Sequence, residues 1–538
     1  MNILLFYADK YYLVNQVYPL GLSLIANYLR KRGHTVEVEY PFLPDTDVKK
    51  NIREAIERIE PDFVGIGIRN LDTCMSCEEY GDHKGNEYQT FYFLPQVKKI
   101  VYEVKRVIPH VPIVVGGGGF TISPVAILKY LGLRYGIAGE GEEPLFQFIE
   151  AFPDKDKISK IPNVVYLRDK EYSVNQRRLH RFEQDRIQFH REPKFRYSYE
   201  TNGVPVLVKR GCNQACSYCV EPLIEGKKFV LRTIDDVLEE LKAIAEDHPE
   251  AGTVFFVDTE FNVPDSVYSS KLVTAILKAE LHKRFRFVTQ LIPKPFSLGF
   301  AKLLAEAGFS VVFSCESFSN TVLQRNQISY QEKDIIEAIE TCERVGMHCT
   351  VTLIFGLPGE TFESIDHTLD RIKEYPVGPL RSYEYTVGGR IYQGTPLCNH
   401  VEKSNPSKDL YGTVSEGYLM PYYYCTPASP FEVHEYIKGV FPDLLSYKNK
   451  FDESTYQGVG IAYLCDQALW GLAVERFVQS EAHIQASIYD YLFKRLVAAE
   501  KQSEAKTISL KLLDNIERGE PVDTGQADTV RFYLSCLG

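Results

Sequence analysis

The sequence predicts an α/β protein: a doubly wound, Rossmann-like parallel sheet, then a partial (β/α)6 barrel, then a mainly helical C-terminal region. Three observations carry that reading. Strand and helix patterns alternate through residues 1–150, the alternation restarts at Val204 and runs to about Arg390, and the chain ends in helical periodicity.

Asn2–Tyr7 reads as a short strand, and Leu20–Arg32 as a helix ended by Gly33. Thr35–Tyr40, Phe63–Ile68, Ile113–Val115 and Tyr135–Ala138 read as further strands. Helices are expected at Val48–Ile59, Gln96–Val107 and Pro124–Leu131. Residues 151–203 read as a linker with a hairpin from Asn163 to Val174. The barrel, residues 204–399, is expected to use Pro205–Lys209, Thr253–Asp258, Phe285–Gln290, Ser310–Cys315, Cys349–Phe355 and Ser382–Val387 as strands. Residues 400–538 are expected to cap the substrate, with tyrosine-rich loops and helices at Val459–Phe477 and Ile484–Ala499.

A chain of 538 residues exceeds one ordinary core, so two or three domains are expected. The formal charge is −11, and no long basic stripe interrupts it. Arg177–Arg196 is the densest basic stretch, but Glu183, Asp185 and Glu192 break it up, as in a solvated linker. A nucleic-acid partner is therefore disfavoured. No secretory signal is visible, and the apolar stretch Val111–Leu133 contains four consecutive glycines, which disqualifies it as a membrane span. Twelve cysteines, most of them isolated, suggest a reducing cytoplasm.

Ligands of a doubly wound sheet bind beyond the carboxyl ends of its strands. Three loops there are informative: Arg69–Asp72, Gly116–Thr121 and Gly139–Glu142. Their glycines allow close approach of backbone to a ligand. In the second series, the loop after the first strand carries Cys212, Cys216 and Cys219. Three thiolates within eight residues suit three irons of one cubane cluster, leaving the fourth iron open. Zinc is the rival, but His180, His190 and His248 lie at no finger-like spacing from them. Cys74 and Cys77 form a Cys-x2-Cys without further ligands and read as reduced loop thiols.

The cysteine spacing, with Tyr218 before the third cysteine, resembles the signature of the radical S-adenosylmethionine (SAM) superfamily. That resemblance implies a [4Fe–4S] cluster whose open iron chelates SAM. It also implies a donor such as flavodoxin or ferredoxin, whose electron cleaves SAM to a 5′-deoxyadenosyl radical. By the same resemblance Tyr218, Asp258, Glu260, Ser314, Glu316, Gly356, Gly359 and Arg390 contact SAM. The N-terminal loops are similar to those of radical SAM enzymes with a cobalamin-binding domain. This implies cobalamin contacts at Leu20, Arg69, Asn70, Asp72, Gly117, Gly118, Phe120, Thr121, Gly139, Glu140 and Gly141.

No Asp-x-His-x-x-Gly is present, since Asp82 and His83 are adjacent, so cobalt is expected without a protein imidazole and with Arg69 near its lower face. The expected activity is methylation of an unactivated carbon in a small-molecule or peptide substrate. Non-methylating radical chemistry and a non-catalytic cobalamin sensor are the alternatives. Tyr411, Tyr418, Tyr422, Tyr423 and Tyr424 are candidates to line a substrate pocket or to form a tyrosine-rich core.

Overall fold

A computed structural model describes residues 1–9, 16–74, 76–77, 90, 92–179, 190–404, 406–446, 453–520 and 526–537. Asp82, His83, His180, Glu183 and Asp185 lie outside the described residues.

Two seven-stranded sheets organise the chain. The first contains β1 (Asn2–Tyr7), β2 (Thr35–Glu39), β3 (Phe63–Gly67), β4 (Ile113–Gly116), β5 (Tyr135–Ile137), β6 (Val164–Arg168) and β7 (Glu171–Val174), in the order β2-β1-β3-β4-β5-β6-β7. Strands β1 to β5 pair in parallel, and β1 is buried from Ile3 to Phe6, so it reads as a continuous apolar run. The order reverses beside β1, which places a crevice between the loops after β1 and β3.

The hairpin expected in the linker has another place. β6 pairs antiparallel with β5, so β6 and β7 complete the edge of the first sheet. Gly118–Ile122, read as loop, is a short helix that opens directly from β4.

The second sheet contains β8 (Val204–Val206), β11 (Thr253–Phe256), β12 (Arg286–Leu291), β13 (Phe309–Glu316), β14 (Cys349–Phe355), β15 (Arg381–Val387) and β19 (Leu445–Ser446). All of its pairings are parallel, and it forms the expected open barrel. The short edge strand β19 was not apparent from sequence, because two residues carry no periodicity. Burial alternates along β13 and β14: Val311, Phe313, Val351 and Leu353 are buried, while Ser310, Ser314, Thr350 and Thr352 are half-buried. The polar set shares the face opposite the apolar core.

Between β8 and β11 lie β9 (Lys209–Arg210) and β10 (Val230–Leu231), an antiparallel pair that closes the cysteine loop. β16 (Gly389–Arg390), β17 (Leu410–Gly412) and β18 (Tyr422–Tyr424) form a small antiparallel sheet next to the barrel. Tyr422, Tyr423 and Tyr424 are buried there, which favours the tyrosine core over a tyrosine-lined pocket.

C-terminal helices at Glu453–Asp466, Trp470–Gln479, Ala482–Ala498, Gln502–Glu517 and Gln526–Cys536 build a second core around Phe477, Leu492, Leu496, Ile508 and Leu512. The helix expected over Val459–Phe477 is two helices, with Ala468 in the left-handed region (φ 59°) between them. Among the described residues no helix is long and apolar enough to cross a membrane.

Candidate active site between the two sheets

The cysteine loop is held from several sides. Asp258, at the end of β11, accepts from the Val208 and Lys209 amides at 2.9 and 2.6 Å and so fixes the chain that enters the loop. Gly211 follows with φ +100°; a methyl group there would sit 2.3 Å from the Lys228 carbonyl oxygen, so the tight turn requires glycine. Its amide donates to Glu225 at 3.0 Å. Ser217 donates from its hydroxyl to the Asn326 side chain at 2.6 Å and from its amide to the Asn326 carbonyl at 2.9 Å. Asn326 is fully buried. No sequence signal marked Asn326 or Glu225, because an isolated Asn or Glu has no periodicity or motif.

The donor set suits an iron–sulfur cluster. Cys212 is buried, Cys216 and Cys219 are half-buried, and all three thiols are free. Burial pushes their pKa values up, and for Cys216 the carboxylate of Glu316 and the neighbouring cysteines push further. Such thiols give up their protons to a metal centre, whose positive charge reverses the penalty. Among the described residues no three His, Cys, Asp or Glu groups converge tightly enough to hold a single ion.

Two glutamates at the barrel mouth have left-handed backbone, Glu260 (φ 55°) and Glu316 (φ 57°). Non-glycine residues in that region are held by their surroundings and concentrate at functional sites. For Glu316, β13 shifts register against β14 between Ser314 and Glu316, which turns the side chain. Its Oε1 accepts from Tyr218 at 2.5 Å and its Oε2 from Tyr330. Tyr330 also donates to the Ser314 carbonyl at 2.6 Å.

Glu260 differs. Its Oε1 accepts from Ser314 at 2.8 Å, while Oε2 is buried without a hydrogen-bond partner. Burial raises its pKa to about 7. A buried acceptor left open at a mouth lined by the cysteines is a place for a ligand donor.

Gly356 (φ +86°) and Gly359 (φ +94°) turn the chain after β14, and the Gly356 amide lies 3.4 Å from Glu360 Oε2. Arg390 does not face this mouth. Its Nε donates to Asp72 Oδ2 at 2.8 Å, and its other nitrogens donate to the Ile391 and Tyr418 carbonyls at 2.5 and 2.9 Å. The two charges expected to serve SAM and cobalamin thus satisfy each other.

Across from the mouth lie the loops of the first sheet. Gly117 has φ +101°, and a methyl group there would meet the Ile68 carbonyl oxygen at 2.4 Å. Thr121 accepts from the Gly139 amide at 2.8 Å and joins the loops after β4 and β5. Phe120 is fully buried, and a methyl group on Gly136 would stand 2.2 Å from its ring, so Phe120 is a core residue. Leu20 opens its helix half-buried, and Asn70 and Gly141 are half-buried. Arg69 is 42% exposed and lies 3.4 Å from Asp9. Glu140 keeps one buried oxygen without a partner.

The two halves touch directly. Gly118 packs against Ile224, just beyond the cysteines, and Arg177 donates to the Leu223 and Ile224 carbonyls. Arg210, beside the cysteine loop, pairs with Glu142 at 2.5 Å. Cys74 is a free thiol that bonds to the Tyr392 hydroxyl at 2.9 Å.

A doubly wound sheet whose ligand edge faces an open barrel with three cysteines in its first loop suits an enzyme built around bound cofactors. The Radical SAM superfamily model matches residues 206–372, and the B12 binding domain model matches residues 12–149. The tryptophan 2-C-methyltransferase of Streptomyces laurentii is 26% identical over 439 residues, covering 67% of this chain and 69% of that one.

Among solved structures, the radical SAM methyltransferase TsrM of Kitasatospora setae, with cobalamin and a [4Fe–4S] cluster bound, superposes with a TM-score of 0.70. The alignment is 20% identical and covers 88% of this chain and 98% of that one. The cobalamin-dependent radical enzyme OxsB gives 0.62 at 14% identity, over 99% of this chain and 84% of that one. The chain thus carries a B12-binding domain and a radical SAM domain, and it is similar to cobalamin-dependent radical SAM enzymes.

Proposed function

We propose that the chain methylates an unactivated carbon of a small-molecule or peptide substrate. The observation that carries this is the apposition of the cysteine loop to the ligand edge of the first sheet, through Gly118–Ile224 and Arg210–Glu142. Similarity to a tryptophan C-methyltransferase supports methyl transfer and makes tryptophan the first substrate to try.

When bound, the cluster supplies an electron that cleaves SAM and cobalamin carries the methyl group. The chain's own residues bind, orient and shield. Cys212, Cys216 and Cys219 would hold the cluster, with Asp258, Glu225 and Asn326 fixing their loop. The open oxygen of Glu260 would accept from the SAM ammonium, and charge-assisted bonds of this kind are the stronger ones. Tyr218 and Tyr330 hold Glu316 at the mouth. Gly117, Gly118 and Gly139 would let backbone approach the corrinoid, and Arg69 would lie toward cobalt. The electron would come from a flavodoxin- or ferredoxin-type donor in the cytoplasm.

Anaerobic turnover with methyl-labelled SAM, read by mass spectrometry, tests the proposal. Labelled carbon in the product together with S-adenosylhomocysteine is expected. SAM cleavage that alters the substrate without moving label would establish non-methylating chemistry. Absence of any SAM cleavage by the loaded protein would leave only the sensor.

A further inference from the structure

The buried pair Asp72–Arg390 joins the loop after β3 to the small sheet at the far end of the barrel. Both side chains are almost wholly enclosed, at 0% and 3% exposure. Asp72 Oδ1 accepts from the Cys74 amide at 3.0 Å and from the Tyr392 hydroxyl at 3.1 Å. The Arg390 guanidinium lies 4.5 Å from the centroid of the Tyr392 ring. Ser76 donates to the Val387 carbonyl, and Thr90 and Tyr423 bond at 3.0 Å, so the same loop is stitched to the barrel at two further points.

At the opposite end of the barrel, Arg210 and Glu142 form a second buried bridge between the sheets. Replacing a buried ion pair by apolar residues is often neutral or stabilising, so stability alone gives little reason to keep one; fixing a register is the best-attested use. Here the held segment is Arg69–Asp72, part of the edge that faces the cysteine loop. The Gly119 amide donates to the Ile68 and Arg69 carbonyls at 3.0 and 2.7 Å, which pins the segment from its other side.

We propose that Asp72, Arg390 and Tyr392 are positioning residues: they form a clamp that sets the distance and tilt between the corrinoid loops and the cluster-bearing barrel. This rests on the reading that both cofactors bind. The clamp makes no contact with either; it acts through the loop it holds.

Asp72→Asn and Arg390→Met are loaded with cluster and cobalamin. Pulsed EPR between the reduced cluster and cobalt(II) then gives the distance distribution beside that of the parent protein, with no substrate present. Full iron and cobalamin with a broadened or shifted distribution is expected in both variants, and with substrate the product formed per SAM consumed falls. Tyr392→Phe keeps the ion pair and removes one hydroxyl, so it serves if the charge variants do not fold; a smaller broadening is expected.

A folded variant with the parent's distribution overturns the clamp. So does loss of cobalamin from folded Asp72→Asn, which would make Asp72 a cofactor ligand. The distance needs no product, so a protein that shows the broadening but methylates nothing refutes the proposed function and supports the clamp.

Discussion

Glu260 and Glu316 show what one residue adds at this site. Both were legible as polar strand-end positions, each with a SAM contact implied by the family resemblance. Glu316 carries a phenol on each oxygen, whereas Glu260 keeps a buried oxygen open. On the proposed function, the ammonium contact falls to Glu260 rather than Glu316. Glu260→Gln removes the charge while keeping the shape. It should weaken SAM binding by roughly ten- to a hundredfold, about 1.5–3 kcal/mol, with iron content retained. Equilibrium binding of SAM to the loaded variant measures this, and unchanged affinity would make Glu260 a structural residue. Asp72 and Arg390 were legible as strand-end charges too. Their pairing spans 318 residues, and no local pattern reports a contact that distant.

At the scale of elements, local signals sufficed where periodicity was long. Val48–Ile59, Pro124–Leu131 and Cys349–Phe355 coincide with the expected bounds, because capping, proline and β-branched residues agree there. The break at Ala468 has no glycine or proline to announce it, and the hairpin β6–β7 was visible without its partner strand.

The loop after β4 supplies a sharper test. Gly117→Ala places a methyl group against the Ile68 carbonyl oxygen in a backbone region that alanine rarely adopts. The loop must shift, so cobalamin retention after gel filtration should fall while iron at the cysteines stays at the parent level. Equal retention would show that this loop does not touch the corrinoid.

Across the whole molecule, the two sheets and the C-terminal helices are joined by buried polar groups, and one of these links stability to pH. Asp466 accepts from the Tyr197 amide at 2.9 Å and from Tyr491 at 2.5 Å, which ties the C-terminal helices to the segment before β8. Burial raises its pKa to about 7, above the unfolded value of 3.8. The folded state then holds the proton more tightly. The stability this contributes is complete below the unfolded pKa and is lost as pH rises through the folded one. Asp466→Asn should flatten that dependence. The drop in Tm between about pH 5 and about pH 8 should be smaller than in the parent, and an equal drop would assign it to other groups.

The domain-scale architecture was legible from alternation and from the cysteine spacing. How the halves face each other was not, because it depends on pairs such as Arg210–Glu142 that only the folded chain brings together.

The central claim is that this enzyme moves a methyl group by way of its corrinoid. Reconstituted protein with cobalamin, low-potential reductant and methyl-labelled SAM, without substrate, tests it most directly. Label on the bound corrinoid, at about one per chain and matched by S-adenosylhomocysteine, is the predicted result. Bound corrinoid that stays unlabelled, in protein that still cleaves SAM, would contradict it.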